Sequence, residues 1–119
     1  MAARDNPPLL DDAILTELAG GSGDEIVRVL VEGFLEEAEE RVAAILRAKQ
    51  DRDSDAVSFQ AHALKSTSAT YGATRMQELA ARLETAAKTQ ECAAIDTEIA
   101  QIDSMWRATD KAFRHRFLH

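Results

Sequence analysis

Apolar residues recur at every third or fourth position along most of this 119-residue chain, and its glycines and prolines are confined to a few places. This spacing puts apolar side chains on one face of an α-helix, and no stretch alternates apolar and polar residues as a half-buried strand does. Glycine, proline and the polar run DRDSD at 51–55 therefore indicate where helices end. The predicted helices are a short one at about 9–19 and four longer ones at about 24–49, 54–71, 73–88 and 91–116.

Four amphipathic helices joined by short connections bury their apolar faces most simply as antiparallel neighbours. We therefore predict an all-α fold, an antiparallel up-down four-helix bundle with the short N-terminal helix as a lid, and a single domain over 1–119. Ser22 and Glu25 form a capping-box pattern at the start of the second helix. Within that helix, Gly33 is better explained by close packing than by flexibility.

The formal net charge of −7 disfavours a nucleic-acid partner, which requires a basic face, and favours protein partners. Cys92 is the single cysteine, so no internal disulfide can form, and we predict a small core thiol in a reducing compartment. No apolar run reaches the roughly 18 residues that span a bilayer, and the first ten residues lack the apolar core of a signal peptide. We expect a cytoplasmic protein with no membrane contact by this segment.

The segment AHALKSTSATYGA at 61–73 places His62 and Lys65 one helical turn apart among small side chains. With about 100° between successive residues, His62 lies about 140° from the centre of the apolar stripe and should face solvent. The inward stripe consists of Val57, Ala61, Leu64 and Ser68. The residues around His62 on the outward face are Ser58, Phe59, Lys65, Ser66 and Ala69.

This arrangement suits phosphoryl transfer better than hydrolysis. A neutral imidazole is a competent nucleophile near pH 7, and an ammonium group one turn away offsets the charge of a phosphoryl group. Nothing else in the segment positions a water molecule or binds a metal ion. The alternative for His62 is a solvated surface histidine beside a lysine, and Phe59 belongs either to a docking patch or to the isolated apolar residues of an ordinary surface.

The segment, with LAARLE at 79–84, resembles the histidine phosphotransfer (HPt) domain family, whose pattern is approximately AHxLKGSSxxxGA followed later by a leucine–glutamate pair. The matching residues are His62, Leu64, Lys65, Ser68, Gly72 and Ala73. The resemblance covers nearly the whole chain and implies that His62 accepts a phosphoryl group from a receiver-domain aspartyl phosphate and passes it to another receiver. It also implies that Lys65 helps to neutralise that group, and Lys88 falls where some relatives place a second cation. Ser66 stands where the family usually has glycine, and we expect it to affect transfer rate and partner more than fold.

The resemblance thus implies a phosphorelay intermediate of a two-component system. Its partners would be response-regulator receiver domains, with no cofactor in this domain and Mg²⁺ on the partner receiver. We expect such a partner to dock on Ser58, Phe59, Ser66, Ala69 and Lys88. We expect no ATP-dependent autokinase activity of its own, because the chain has neither a glycine-rich phosphate loop nor a second domain to hold ATP. The sequence fits both a free-standing relay protein and the cytoplasmic end of a membrane-bound hybrid histidine kinase. We expect the protein to be a monomer.

Two alternative functions belong to other classes of protein. The first is a bundle of HPt shape that regulates a partner by docking without phosphotransfer. The second takes His62, His115 and His119 as metal ligands, since the last two are four residues apart. Those two lie at a fraying C-terminus among arginines, where a basic turn that complements the helix dipole is the simpler interpretation, so no metal site is predicted.

Overall fold

In the computed structural model, the residues described are 8–20 and 23–118, and they form five α-helices and no strand. The helices are α1 (Asp12–Gly20), α2 (Asp24–Gln50), α3 (Ser54–Thr70), α4 (Thr74–Lys88) and α5 (Cys92–Phe117). The predicted all-α fold is confirmed, and the bounds of α2 to α5 lie within one residue of those expected. No helix of the described residues is long and apolar enough to cross a membrane.

The first helix begins later than predicted, because Asp11 caps it. The Asp11 carboxylate accepts the backbone N–H groups of Ala13 at 3.0 Å and Ile14 at 3.3 Å. A residue whose side chain caps a helix keeps a non-helical backbone and stays outside it. The helix therefore begins at Asp12 rather than near residue 9.

Two local predictions about α2 are wrong. Its N-cap is Gly23, without a side-chain hydrogen bond, so a capping box with Ser22 is out of register; Ser22 itself lies outside the described residues. Gly33 is exposed, and a Cβ atom added there would meet nothing within 4 Å. Close packing therefore does not explain this glycine, since no other element in the described part of the chain covers that side of the helix.

The four longer helices pack in a ring. Helix α2 contacts α3 and α5, and α4 contacts the same two helices, so α2 and α4 lie at opposite corners. On α2 and α3, Glu37 accepts a hydrogen bond from Thr67, while Arg41 donates one to Gln60. As the residue number increases along α2, the number of the contacting residue on α3 decreases. The two helices are therefore antiparallel.

An aromatic cluster joins α2, α5 and the end of α3 in the core. The Phe34 ring is nearly inaccessible and lies 4.8 Å from the ring of Tyr71 and 4.9 Å from that of Phe113. Trp106 meets it edge-on at 6.4 Å. Rings at these separations add attraction beyond the area that they bury, so the cluster fixes the relative positions of these elements.

Gly72 forms the turn between α3 and α4 and contacts α1. Its φ of +74° lies in the left-handed region, and a Cβ atom there would be 3.1 Å from the Cβ of Ile14. Its carbonyl also accepts the backbone N–H of Asp11 at 2.8 Å. Both the backbone conformation and the close approach therefore require glycine, and α1 covers this turn with Leu15 fully buried.

Cys92 is exposed, so the predicted core position is wrong. It is the first residue of α5, and the first buried residue of that helix is Ile95, nearly one turn later. The thiol therefore precedes the part of α5 whose apolar face reaches the core.

Candidate functional site

The outward face of α3 presents His62 to solvent, as the helical spacing predicted. All four residues of the inward stripe are buried, and Leu64 is fully inaccessible. The His62 side chain is 62 % exposed. A large partner can therefore reach the imidazole while the opposite side of the same helix stays in the core.

A glutamate on the neighbouring helix joins His62 to two lysines. The Nδ1 atom of His62 lies 2.9 Å from one carboxylate oxygen of Glu84 on α4. Lys65 donates to the other oxygen at 2.7 Å, and Lys88 reaches the first at 3.2 Å. One carboxylate thus contacts an imidazole and two ammonium groups.

The Glu84 carboxylate is ionised at neutral pH. The hydrogen bond from Lys65 is the main cause that lowers the pKa of Glu84 to about 2; burial acts in the opposite direction, and Lys88 and His62 add to the lowering. An ionised carboxylate only accepts hydrogen bonds, so Nδ1 of His62 must carry the hydrogen. In the neutral ring the free lone pair is therefore on Nε2.

These groups together suit the transfer of an anionic group. The Nε2 lone pair is the nucleophilic position of the neutral ring, and Lys65 and Lys88 bring positive charge to the carboxylate that the ring contacts. At 4 Å and an effective dielectric constant of 20, one charge pair is worth about 4 kcal/mol, and less where solvent screens it. No group of three or more histidine, cysteine or acidic side chains among the described residues could hold a metal ion, and His119 lies outside that part of the chain.

Of the residues predicted to dock a partner, four lie on the outward half of α3, and Lys88 is the last residue of α4. Phe59 is 66 % exposed and Ser66 is also exposed, whereas Ser58 and Ala69 are half-buried. Lys88 is exposed and enters the site through its contact with Glu84. The docking role of these residues stays a prediction.

Glu84 is the residue whose importance the sequence reasoning missed, since it appeared only within the leucine–glutamate pair. It lies four residues after Ala80 and three before Ala87, both buried, so helical spacing puts it beside the apolar stripe of α4. A charged residue at a buried position requires charged or hydrogen-bonding partners. That spacing was the available signal, although it did not identify the partners.

The chain is similar to known proteins over most of its length. The family model described as "Hpt domain" matches residues 29–112. The crystal structure of histidine-containing phosphotransfer protein B (HptB) from Pseudomonas aeruginosa PAO1 shares 28% identity at a TM-score of 0.86, over 93% of this chain and 96% of that one. The HPT domain of a sensor hybrid histidine kinase from Shewanella shares the fold at 19% identity and a TM-score of 0.73, over 90% and 92% of the two chains. A search among curated proteins finds no match.

Proposed function

Since this chain belongs to the Hpt domain family, we propose that His62 accepts a phosphoryl group from the aspartyl phosphate of one receiver domain and passes it to the aspartate of another. HPt domains interact with receiver domains in two-component relays. The observation that best supports the proposal is the exposed His62 ring, whose Nδ1 contacts a buried carboxylate while Nε2 keeps its lone pair. A surface histidine without such a partner carries its hydrogen mainly on Nε2 in the neutral form, so a hydrogen-bond acceptor at Nδ1 is what leaves Nε2 with its lone pair.

The proposed transfer is balanced in atoms and charge. The Nε2 lone pair attacks phosphorus, the bond between phosphorus and the aspartate oxygen breaks, and its electron pair stays on the aspartate carboxylate. The imidazole keeps the hydrogen on Nδ1 and becomes a phosphorylated cation. Transfer to a second receiver reverses these changes and restores the neutral ring.

The chain contributes a nucleophile and positive charge, and we expect Mg²⁺ on the partner receiver. The transition state of phosphoryl transfer spreads negative charge over the phosphoryl oxygens, so nearby cations stabilise it. Lys65 and Lys88 approach the site from α3 and α4, and both side chains are at least one-third exposed. Their stems can therefore turn towards a phosphoryl group on Nε2.

We propose that the receiver docks on the outward face of α3. Phe59 offers an exposed aromatic side chain three residues before His62, and aromatic side chains are common anchors at interfaces. The small side chains of Ser58, Ser66 and Ala69 leave room for a receiver to approach the ring.

Transfer of radiolabel tests this function. Receiver domains from the source organism are phosphorylated with radiolabelled acetyl phosphate and mixed with wild type, His62→Gln and His115→Gln. We expect wild type and His115→Gln to gain an acid-labile label and His62→Gln to gain none. Equal labelling of wild type and His62→Gln would overturn the proposal. Receiver binding that survives His62→Ala, with no phosphohistidine in wild type, would instead support docking without transfer.

A further inference from the structure

The first helix joins the rest of the protein near the turn between α3 and α4, and it does so through few contacts. We propose that α1 is a strap that opens as a unit while α2 to α5 stay folded, and that the closed strap holds this turn in place. The opening itself is independent of the proposed function. The effect of the opening on phosphoryl transfer rests on that function.

Helix α1 depends on its docking for its structure. It has nine residues, whereas an isolated helix shorter than about 12–15 residues is marginal in water. Leu15 is the one buried side chain of these nine described residues, whereas α2 buries eight. Leu18 in the helix and Leu10 before it are only partly buried against the core. Loss of the Leu15 contact should therefore release the helix and unfold it.

Two polar contacts of the described residues tie the start of α1 to other elements. The Asp11 backbone N–H donates to the Gly72 carbonyl at 2.8 Å. The Asp12 carboxylate accepts a hydrogen bond at 2.7 Å from Arg116 in the last turn of α5. This second contact is an ion pair whose Asp12 side chain is 83 % exposed, and exposed pairs stabilise little. The ion pair therefore cannot hold α1 closed without Leu15.

The closed strap covers the turn between α3 and α4. The Ile14 side chain lies so close to Gly72 that a Cβ atom added there would be 3.1 Å from the Cβ of Ile14. Within the turn, the Ala73 N–H donates to the Ser68 carbonyl at 2.9 Å. Opening the strap removes the Asp11 donor from the Gly72 carbonyl and lets water reach the turn. The turn should therefore become less protected whenever α1 opens.

This turn connects the strap to the candidate site. His62 lies on the helix before the turn and Glu84 on the helix after it. A looser turn lets these helices shift, and a displacement of about 1 Å can lower the rate of a positioned reaction by up to about 100-fold. We therefore expect the open form to transfer a phosphoryl group more slowly than the closed form. A partner that releases α1 would then slow the relay without contacting His62.

Native-state hydrogen exchange tests whether α1 opens separately. The proteins compared are wild type, Leu15→Ala and Ile99→Val, in which a core side chain in the first half of α5 is shortened. In wild type, we expect the amides of residues 15–20 to exchange about 100-fold faster than the slowest amides of α2. Leu15→Ala should speed residues 15–20, Gly72 and Ala73 about tenfold further and leave the slowest amides of α2 unchanged. Ile99→Val should speed the amides of α2 and leave those of α1 unchanged.

Three results would overturn the separate opening. The first is one common exchange rate for α1 and the core of α2 in wild type. The second is an equal acceleration of both helices in Leu15→Ala. The third is a Leu15→Ala protein that does not fold, because α2 to α5 would then depend on α1.

Label transfer from a phosphorylated receiver tests the effect on the site. We expect transfer to Leu15→Ala to be about fivefold slower than to wild type, and transfer to Ile99→Val to match wild type. Equal rates for Leu15→Ala and wild type would overturn the connection between the strap and the site. Absence of transfer to wild type would overturn the relay instead, while hydrogen exchange would still decide whether α1 opens.

Discussion

At the scale of single residues, Glu84 distinguishes His62 from an ordinary surface histidine. An exposed imidazole one turn from a lysine is common on helices, and exposure alone implies no chemistry. Here an ionised carboxylate from another helix contacts Nδ1 and leaves Nε2 as the free nitrogen. Two lysines contact the same carboxylate and bring positive charge to the site.

Lys65→Met should slow transfer without unfolding the protein. The substitution keeps an apolar stem but removes the ammonium group of a side chain that is 34 % exposed. We expect the transfer rate to fall about tenfold, corresponding to about 1.4 kcal/mol in the barrier, and the free energy of unfolding to fall by about 1–3 kcal/mol, because a buried carboxylate loses one of its partners. Rapid-quench label transfer and urea denaturation measure the two effects. Lys49→Met, which removes an ion pair with Asp96, is the control, and an unchanged rate in Lys65→Met would contradict the prediction.

The pH dependence of stability should show the contribution of Glu84. Its pKa is lowered from 4.5 to about 2 in the folded protein, so its stabilisation is complete above about pH 4.5 and is lost as the pH falls towards 2. Wild type should therefore lose free energy of unfolding more steeply than Glu84→Gln between about pH 5 and pH 3. Urea denaturation at intervals across this range measures both slopes. Parallel curves would show that the carboxylate contributes nothing.

At the scale of elements, the turn between α3 and α4 holds the two halves of the site together. Gly72 closes the helix that bears His62, and α4, which bears Glu84, begins two residues later. The Gly72 carbonyl accepts a hydrogen bond from the backbone N–H of Asp11, so the segment before α1 also stabilises this turn. The separation of His62 and Glu84 therefore depends on a turn that lies at the end of the bundle.

Gly72→Ala should destabilise this turn. The φ of +74° strains any residue with a Cβ atom, and that atom would lie 3.1 Å from the Ile14 side chain. We expect a loss of about 1–3 kcal/mol in the free energy of unfolding. Gly33→Ala is the matched control: it lies in an exposed helix interior with open space, and we expect a gain of about 0.5–1 kcal/mol. Urea denaturation that gives both variants the same sign would contradict this explanation.

At the scale of the whole molecule, the aromatic cluster of the core and the candidate site lie on different pairs of helices. The aromatic cluster around Phe34 joins α2 to α5, whereas the network of His62 and Glu84 joins α3 to α4. The α2–α5 side of the ring thus contributes mainly to the core, and the α3–α4 side carries the candidate site. Stability and chemistry should therefore respond to different substitutions.

Phe34→Ala should affect mainly the stability of the fold, whereas Phe59→Ala should affect mainly receiver docking. Phe34 is 2 % exposed, so its truncation leaves a cavity and should cost about 3–5 kcal/mol. The rate of label transfer, measured well below the melting temperature, should change less than about twofold. Phe59 is 66 % exposed, and its truncation should cost less than about 0.5 kcal/mol but weaken receiver docking several-fold. Calorimetry and label transfer on both variants check this, and equal melting temperatures would contradict it.

The sequence alone determined whatever depends on one helix at a time. The spacing of apolar residues placed α2 to α5, the buried stripe of α3 and the outward direction of His62, because each follows from a constant turn of about 100° per residue. Which side chain meets Nδ1 depends instead on the rotation of α3 against α4, and packing of the entire core sets that rotation. Gly33 and Cys92 were misjudged for the same reason, since whether a helix face is covered depends on its neighbours. The exposed position of His62 could therefore be predicted from the sequence, whereas only the tertiary structure decided which of its nitrogens bears the hydrogen.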